Sequence, residues 1–165
     1  MSGMPPLHPL IVHAPIVLII ASFGFELAGR ALDSEAWRKA AFAMLLIGAI
    51  GAGAAVLTGQ PAGEHAERQG VPEQAVDQHQ DAGRLTLWLA IAAVLARLIA
   101  GPARRARGAI SALALLLHLS AAVAVAVAGY RGGKLVYNHG AGVRVHGKLV
   151  PSDQPPKTEA EPGKH

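Results

Sequence analysis

The stretch Gly108 to Gly129, GAISALALLLHLSAAVAVAVAG, decides the fold. Its 22 residues carry one ionisable group, His118, and no charged side chain. A helix of this length rises about 33 Å at 1.5 Å per residue, enough to cross a hydrocarbon layer of about 30 Å. It is apolar on every face, so it lacks the polar stripe that a soluble amphipathic helix turns to water. Three further blocks repeat the pattern. Pro9 to Ala28 is interrupted only by His13 and Glu26, and Ala40 to Gly59 has no charge. Leu85 to Ala96 continues past Arg97 to Ala100 and borrows length from its flanks. The chain therefore reads as all-α, an integral membrane four-helix bundle. Its spans fall at about 9–30, 38–59, 83–100 and 108–130, within one transmembrane domain over 1–150.

The composition agrees with that reading. Of the 165 residues, 52% are hydrophobic and only 4% aromatic, and the mean hydropathy is +0.33. The first basic residue is Arg30, after the first apolar run, so that run lacks the positive leader of a cleaved signal peptide. Pro9 suits a first helical position, and Pro15, inside the helix, predicts a local kink. Gly51, Ala55 and Gly59 recur at every fourth residue, as do Ser120, Ala124 and Ala128. Such stripes let helix backbones approach closely in lipid.

Loop charge sets the expected orientation. Arg30, Arg38 and Lys39 in the first connection, with Arg97, Arg104, Arg105 and Arg107 in the third, put seven basic residues on one side. The middle connection has Arg68 and Arg84 against Glu64, Glu67, Glu73, Asp77 and Asp81. The positive-inside rule then places the two basic loops in the cytoplasm and both termini on the periplasmic side of a multi-pass inner-membrane protein. Basic residues in the C-terminal segment run against this. The net charge of +4 is topology and lipid chemistry, and nucleic acid is excluded as a partner.

Outside the spans, Val71-Pro72-Glu73 reads as a helix start that could run into the third span and carry His79. Gly132 to Val150 reads as a short extramembrane segment forming a small hairpin around Asn138-His139-Gly140-Ala141-Gly142. Pro151 to His165 reads as a disordered tail.

With no Cys, disulfides, thiolate metal sites, iron–sulfur clusters and covalent haem are excluded. Metal or redox chemistry is left to the 8 His. The expected topology puts all of them except His118, which falls in mid-span, on one side of the membrane. His8, His13, His79 and His139 converge near one interface, as a bound metal or haem requires. His8 and His13 stand about 140° apart on a helix and cannot share a face. His65, His146 and His165 read as solvated surface groups. His118 reads equally well as an intramembrane functional group or as a packed, hydrogen-bonded imidazole. Glu26 and Arg30, four apart, are expected to pair. No nucleophile–base or carboxylate pair lies in or beside the bilayer, which favours a carrier over a catalyst.

Two segments resemble a known family. Leu7-His8-Pro9-Leu10-Ile11-Val12-His13-Ala14-Pro15 is similar to the HPLxVHxP opening of the bacterial membrane family called domain of unknown function 2231. Gly132 to Val143, GGKLVYNHGAGV, resembles its closing GGxLVYxHGxGV. Trp37, Gly59 and His79 also sit where that pattern puts them, and the resemblance covers roughly residues 5 to 145. It implies a four-helix membrane protein, and the fusion of some members to c-type cytochrome or Rieske-type modules implies electron transfer. Carried onto this chain, it nominates His8, His13, His79 and His139. The leading expectation is a small b-type cytochrome, with haem b ligated by pairs drawn from those four His and Arg131, Lys134 and Arg144 as charge-assisted partners of its propionates. The alternatives are a Zn or Cu site on the same four His, in binding or transport, and a non-catalytic scaffold for a periplasmic redox partner. A homo-oligomer also fits.

Overall fold

The computed structural model describes residues 7–100, 107–145 and 148–149. Five helices follow in order: α1 Leu7–Ile11, α2 His13–Ala31, α3 Glu35–Arg68, α4 Glu73–Ala100 and α5 Arg107–His139. Two short strands end the described chain, β1 Arg144–Val145 and β2 Lys148–Leu149. Helices α1 and α2 form one apolar rod, broken at Val12. Pro15 explains the break, because it cannot donate to the Ile11 carbonyl four residues back. That rod and the three long helices are each long and apolar enough to span a membrane.

The helices close into a ring, α2 against α3, α3 against α4, α4 against α5 and α5 back against α2. The centre is made of small residues, Ala49, Ala52, Ala90, Ala93, Ala121 and Ala122, around Ile19 and Leu45. Large apolar side chains point outward instead: Ile50, Leu57, Trp88 and Leu116 are all exposed. In water this surface would be an aggregation hazard. In a bilayer it faces lipid, while the small residues inside bring the backbones together. The α3 stripe acts in this way, with Gly51 against Pro15 and Gly59 against His8. On α5, Ala124 and Ala128 are buried, whereas Ser120 faces outward.

The helices outrun the expected spans. Helix α3 continues past Gly59 and Pro61 to Arg68. At 34 residues it is about 51 Å long, well beyond the hydrocarbon layer. It stops where Gly70 takes φ 93° and Val71 N–H bonds the Ala66 carbonyl at 3.1 Å, a left-handed glycine cap. Helix α4 begins at Glu73 as expected and carries His79 into the third span without a break.

Helix α5 corrects the hairpin boundary. It runs through Gly132 and Gly133 to His139 and ends where Gly140 turns left-handed at φ 64°. Asn138-His139-Gly140-Ala141-Gly142 is thus a helix stop, and the hairpin is confined to Arg144 opposite Leu149 and Val145 opposite Lys148. Contact with α4 sustains the helix across both glycines, and a positive φ ends it. The expected tail, 151–165, lies outside the described residues, as do His146 and His165.

Candidate functional site

At the end of the bundle that bears the α3–α4 connection, two of the four nominated histidines meet. His8 projects from α1 onto α3, with Nδ1 3.3 Å from the Thr58 hydroxyl. That hydroxyl spends its own hydrogen on the Ala54 carbonyl at 2.9 Å, so it accepts from His8 Nδ1–H. His79, on α4, donates Nδ1–H to the Ala128 carbonyl of α5 at 3.0 Å. The carbonyl can only accept, so His79 keeps a bare Nε2. Both rings are held at Nδ1, as metal-ligating imidazoles are.

Each ring sits in a notch made by a glycine. A Cβ on Gly59 would lie 3.1 Å from His8 Cε1, and one on Gly132 would lie 3.0 Å from His79 Cε1. The two imidazoles are half-buried, with centroids 5.9 Å apart and planes at 82°. An ion held between two imidazoles by bonds of about 2 Å separates the centroids by roughly 6 Å, so the spacing suits one bridged ion.

The rings line a cleft whose walls are mostly apolar, including Pro15, Ala52, Ala55 and Val125. The cavity is small, about 70 Å³, and opens through a wider mouth. Its volume suits an ion with a water or two and lies below the range of about 300–1,000 Å³ usual for larger ligands. Among the described residues, no group of three or more His, Asp or Glu is placed to hold a metal ion. A tetrahedral zinc site needs more protein ligands than this pair. Haem iron needs only two, because the macrocycle supplies the rest.

The other nominated residues stand apart. His13 is exposed, its Nδ1 2.7 Å from the Pro9 carbonyl. The break at Val12 turns His8 inward and leaves His13 outside, in keeping with their expected angular separation. His139 ends α5 seven residues beyond Gly132, about 10 Å farther along the axis. Arg131 reaches α4 beside His79, donating to the Gln78 carbonyl at 2.7 Å. Lys134 lies over the Tyr130 ring at 5.6 Å. The strand β1 carries Arg144. The basic group that lines the cleft is instead Arg84, hydrogen-bonded to Gln80 at 2.9 Å and paired with Asp81 at 3.3 Å. Thr58 is not among the residues the sequence nominates, and Arg84 counts there only as loop charge. Thr58 directly precedes Gly59, and Arg84 follows His79 by five residues on one helix.

A second polar group lies toward the opposite end. His118 is 1% exposed, its Nε2 2.7 Å from Ser22 Oγ and its ring edge-to-face with Phe23. Ser22 donates to the Ile19 carbonyl at 2.8 Å, so it accepts from His118 Nε2–H and leaves Nδ1 without a partner. One turn on, Glu26 pairs with Arg30 at 2.8 Å, as expected from their spacing. It also pairs with Arg97 of α4 at 2.5 Å. Strict hydrogen-bond geometry leaves Glu26 Oε2 and Arg97 Nη1 unsatisfied, but the two atoms face each other as an ion pair. Arg97 was read only as loop charge. Its place as the one charge interrupting the third apolar block was the signal for a buried partner.

The family model described as a predicted membrane protein (DUF2231) matches residues 4–145. The chain belongs to that family. No curated protein and no solved structure matches it.

Proposed function

We propose that this DUF2231 protein is a membrane electron carrier that holds a b-type haem between His8 and His79. The observation that carries the reading is the facing pair itself: two half-buried imidazoles, each anchored through Nδ1, each seated on a glycine, 5.9 Å apart. Two protein ligands are what haem iron lacks and fewer than a bare structural metal demands. When bound, haem supplies a one-electron couple. His8 and His79 would hold it through their imidazoles. The Thr58 hydroxyl and the Ala128 carbonyl fix the ring orientations. Pro15, Ala52, Ala55 and Val125 keep water from the centre, and Arg84 at the mouth can pair with a propionate. Arg131, fixed on the Gln78 carbonyl, adds positive charge beside His79.

In this reading the protein sits in a bacterial inner membrane with both termini outside, because the basic connections favour the cytoplasm. The haem would lie near the outer face, within reach of a periplasmic cytochrome or Rieske-type partner. The small cavity, about 70 Å³, favours a second reading, a single Cu or Zn ion held by the same pair with water completing its coordination.

Absorption spectroscopy of the detergent-purified protein separates the two. A Soret band that sharpens on reduction, with the spectrum of a six-coordinate low-spin iron, is the expected result. His8→Ala and His79→Ala should each abolish that form, and His13→Ala and His139→Ala should leave it. A colourless protein with stoichiometric copper or zinc would move the assignment to the second reading. Absence of both after expression with added haem and metals would refute each.

A further inference from the structure

At the end of the bundle opposite the histidine pair, Arg38, Lys39, Phe42, Arg97 and Leu98 line an open groove between α3 and α4. We propose that this groove binds an anionic phospholipid, its phosphate between Arg38 and Lys39 and an acyl chain along Phe42 and Leu98.

Charge is the first argument. Glu26 is shared by Arg30 and Arg97, so the network beneath the groove carries one surplus positive charge, with Glu26 buried and Arg97 largely so. Arg97 spends Nη1 on Glu26 and Nη2 on the Arg38 carbonyl at 3.0 Å, and its guanidinium lies 5.5 Å from the Phe42 ring centre. It thus forms a fixed cationic floor. The pairs above it are loose. Asp33, partner of Arg38, is 94% exposed, and Lys39 and Glu35 are each about three-quarters exposed. Exposed pairs of this kind contribute little and exchange readily for a better anion.

Shape is the second argument. Phe42 stands one helical turn from Arg38 toward the middle of α3, and Leu98 is exposed on the facing helix. Cations lie at the helix ends and apolar surface lies deeper, the polarity of a phospholipid in its own leaflet. The groove, about 520 Å³, is wide enough for a headgroup. Basic pockets between spans recognise acidic headgroups in this way.

The test uses the full chain in nanodiscs of phosphatidylglycerol or phosphatidylcholine, followed by mild delipidation and native mass spectrometry. One retained phosphatidylglycerol per chain is expected, with phosphatidylcholine lost. The double variant R38Q/K39Q, both sites lying outside the buried pair, should weaken retention about fivefold per cation, some 30-fold together. A shift in melting temperature of the wild type with phosphatidylglycerol over phosphatidylcholine decides the matter if the variant does not fold. Equal retention of both lipids, or unchanged retention in the variant, overturns the proposal. So does displacement of the lipid by millimolar inorganic phosphate, which would make the groove a site for a free anion.

Discussion

The glycine pair at the end of α5 offers a controlled perturbation of the histidine site. Gly132 and Gly133 are consecutive in one helix, so replacing either by Ala gives the same gain in helix propensity, about 1 kcal/mol. They differ in what a Cβ would meet. At Gly133 nothing lies within 4 Å. At Gly132 the new carbon would lie 3.0 Å from His79 Cε1 and 3.3 Å from Nδ1, the atom bonded to Ala128. His79 cannot yield without lengthening that bond or closing on His8, whose ring centre is 5.9 Å away. Overpacking of this kind costs about 1–3 kcal/mol. Gly133→Ala should therefore stabilise the protein by up to about 1 kcal/mol, and Gly132→Ala should fall below it by about 1–3 kcal/mol. The measurement is reversible unfolding in mixed micelles, with both variants in the same detergent. Because propensity cancels between neighbours, the difference isolates the contact with His79. Equal stability, or a more stable Gly132→Ala, would refute the notch as the element that seats the ring.

Other perturbations follow from the buried polar group and the topology. Glu26→Gln strands Arg97 and should cost about 3–5 kcal/mol in the same unfolding assay, and the further change Arg97→Met should recover most of it. Ser22→Ala removes the hydrogen bond at Nε2 of a buried imidazole and should cost about 1–2 kcal/mol, with the loss falling in a His118→Phe background. The absence of Cys makes single-thiol labelling clean. In intact cells Tyr137→Cys should react with a membrane-impermeant maleimide, and Leu32→Cys, in the connection after α2, should react only after permeabilisation; the reverse pattern would invert the orientation.

The fold was legible because membrane helices advertise themselves through length and hydropathy. Gly108–Gly129 and its three counterparts appear as four candidate spans, and the spacing of Gly51, Ala55 and Gly59 anticipates where α3 meets the α1–α2 rod. Helix ends were less legible. Past Gly59 the hydropathy falls, yet α3 continues through Pro61 to Arg68. A proline removes one hydrogen bond, which flanking turns can tolerate, whereas Gly70 adopts a left-handed φ and does end the helix. The β-branched residues around Asn138-His139-Gly140-Ala141-Gly142 suggest a hairpin, yet α5, packed on α4, continues to His139.

The site was legible as a set of residue types but not as a constellation. Which imidazoles meet depends on helix rotation and on the break at Val12, and neither is written in the spacing of the histidines. Spacing did exclude a shared face for His8 and His13; it gave no reason to prefer His8. The missing information lay in residues that look inert. Gly59 and Gly132 belong to different helices and are separated by more than seventy positions, yet each does the same work for a different ring. Each glycine takes up an imidazole edge beside its anchor, Thr58 in one case and the Ala128 carbonyl in the other. A glycine in a long apolar helix ordinarily costs stability relative to alanine. Two of them, each in van der Waals contact with one histidine of a facing pair, accept that cost at the positions where a methyl group would push the rings from their anchors. That placement is the strongest physical reason to regard His8 and His79, out of the 8 histidines in the chain, as a built pair.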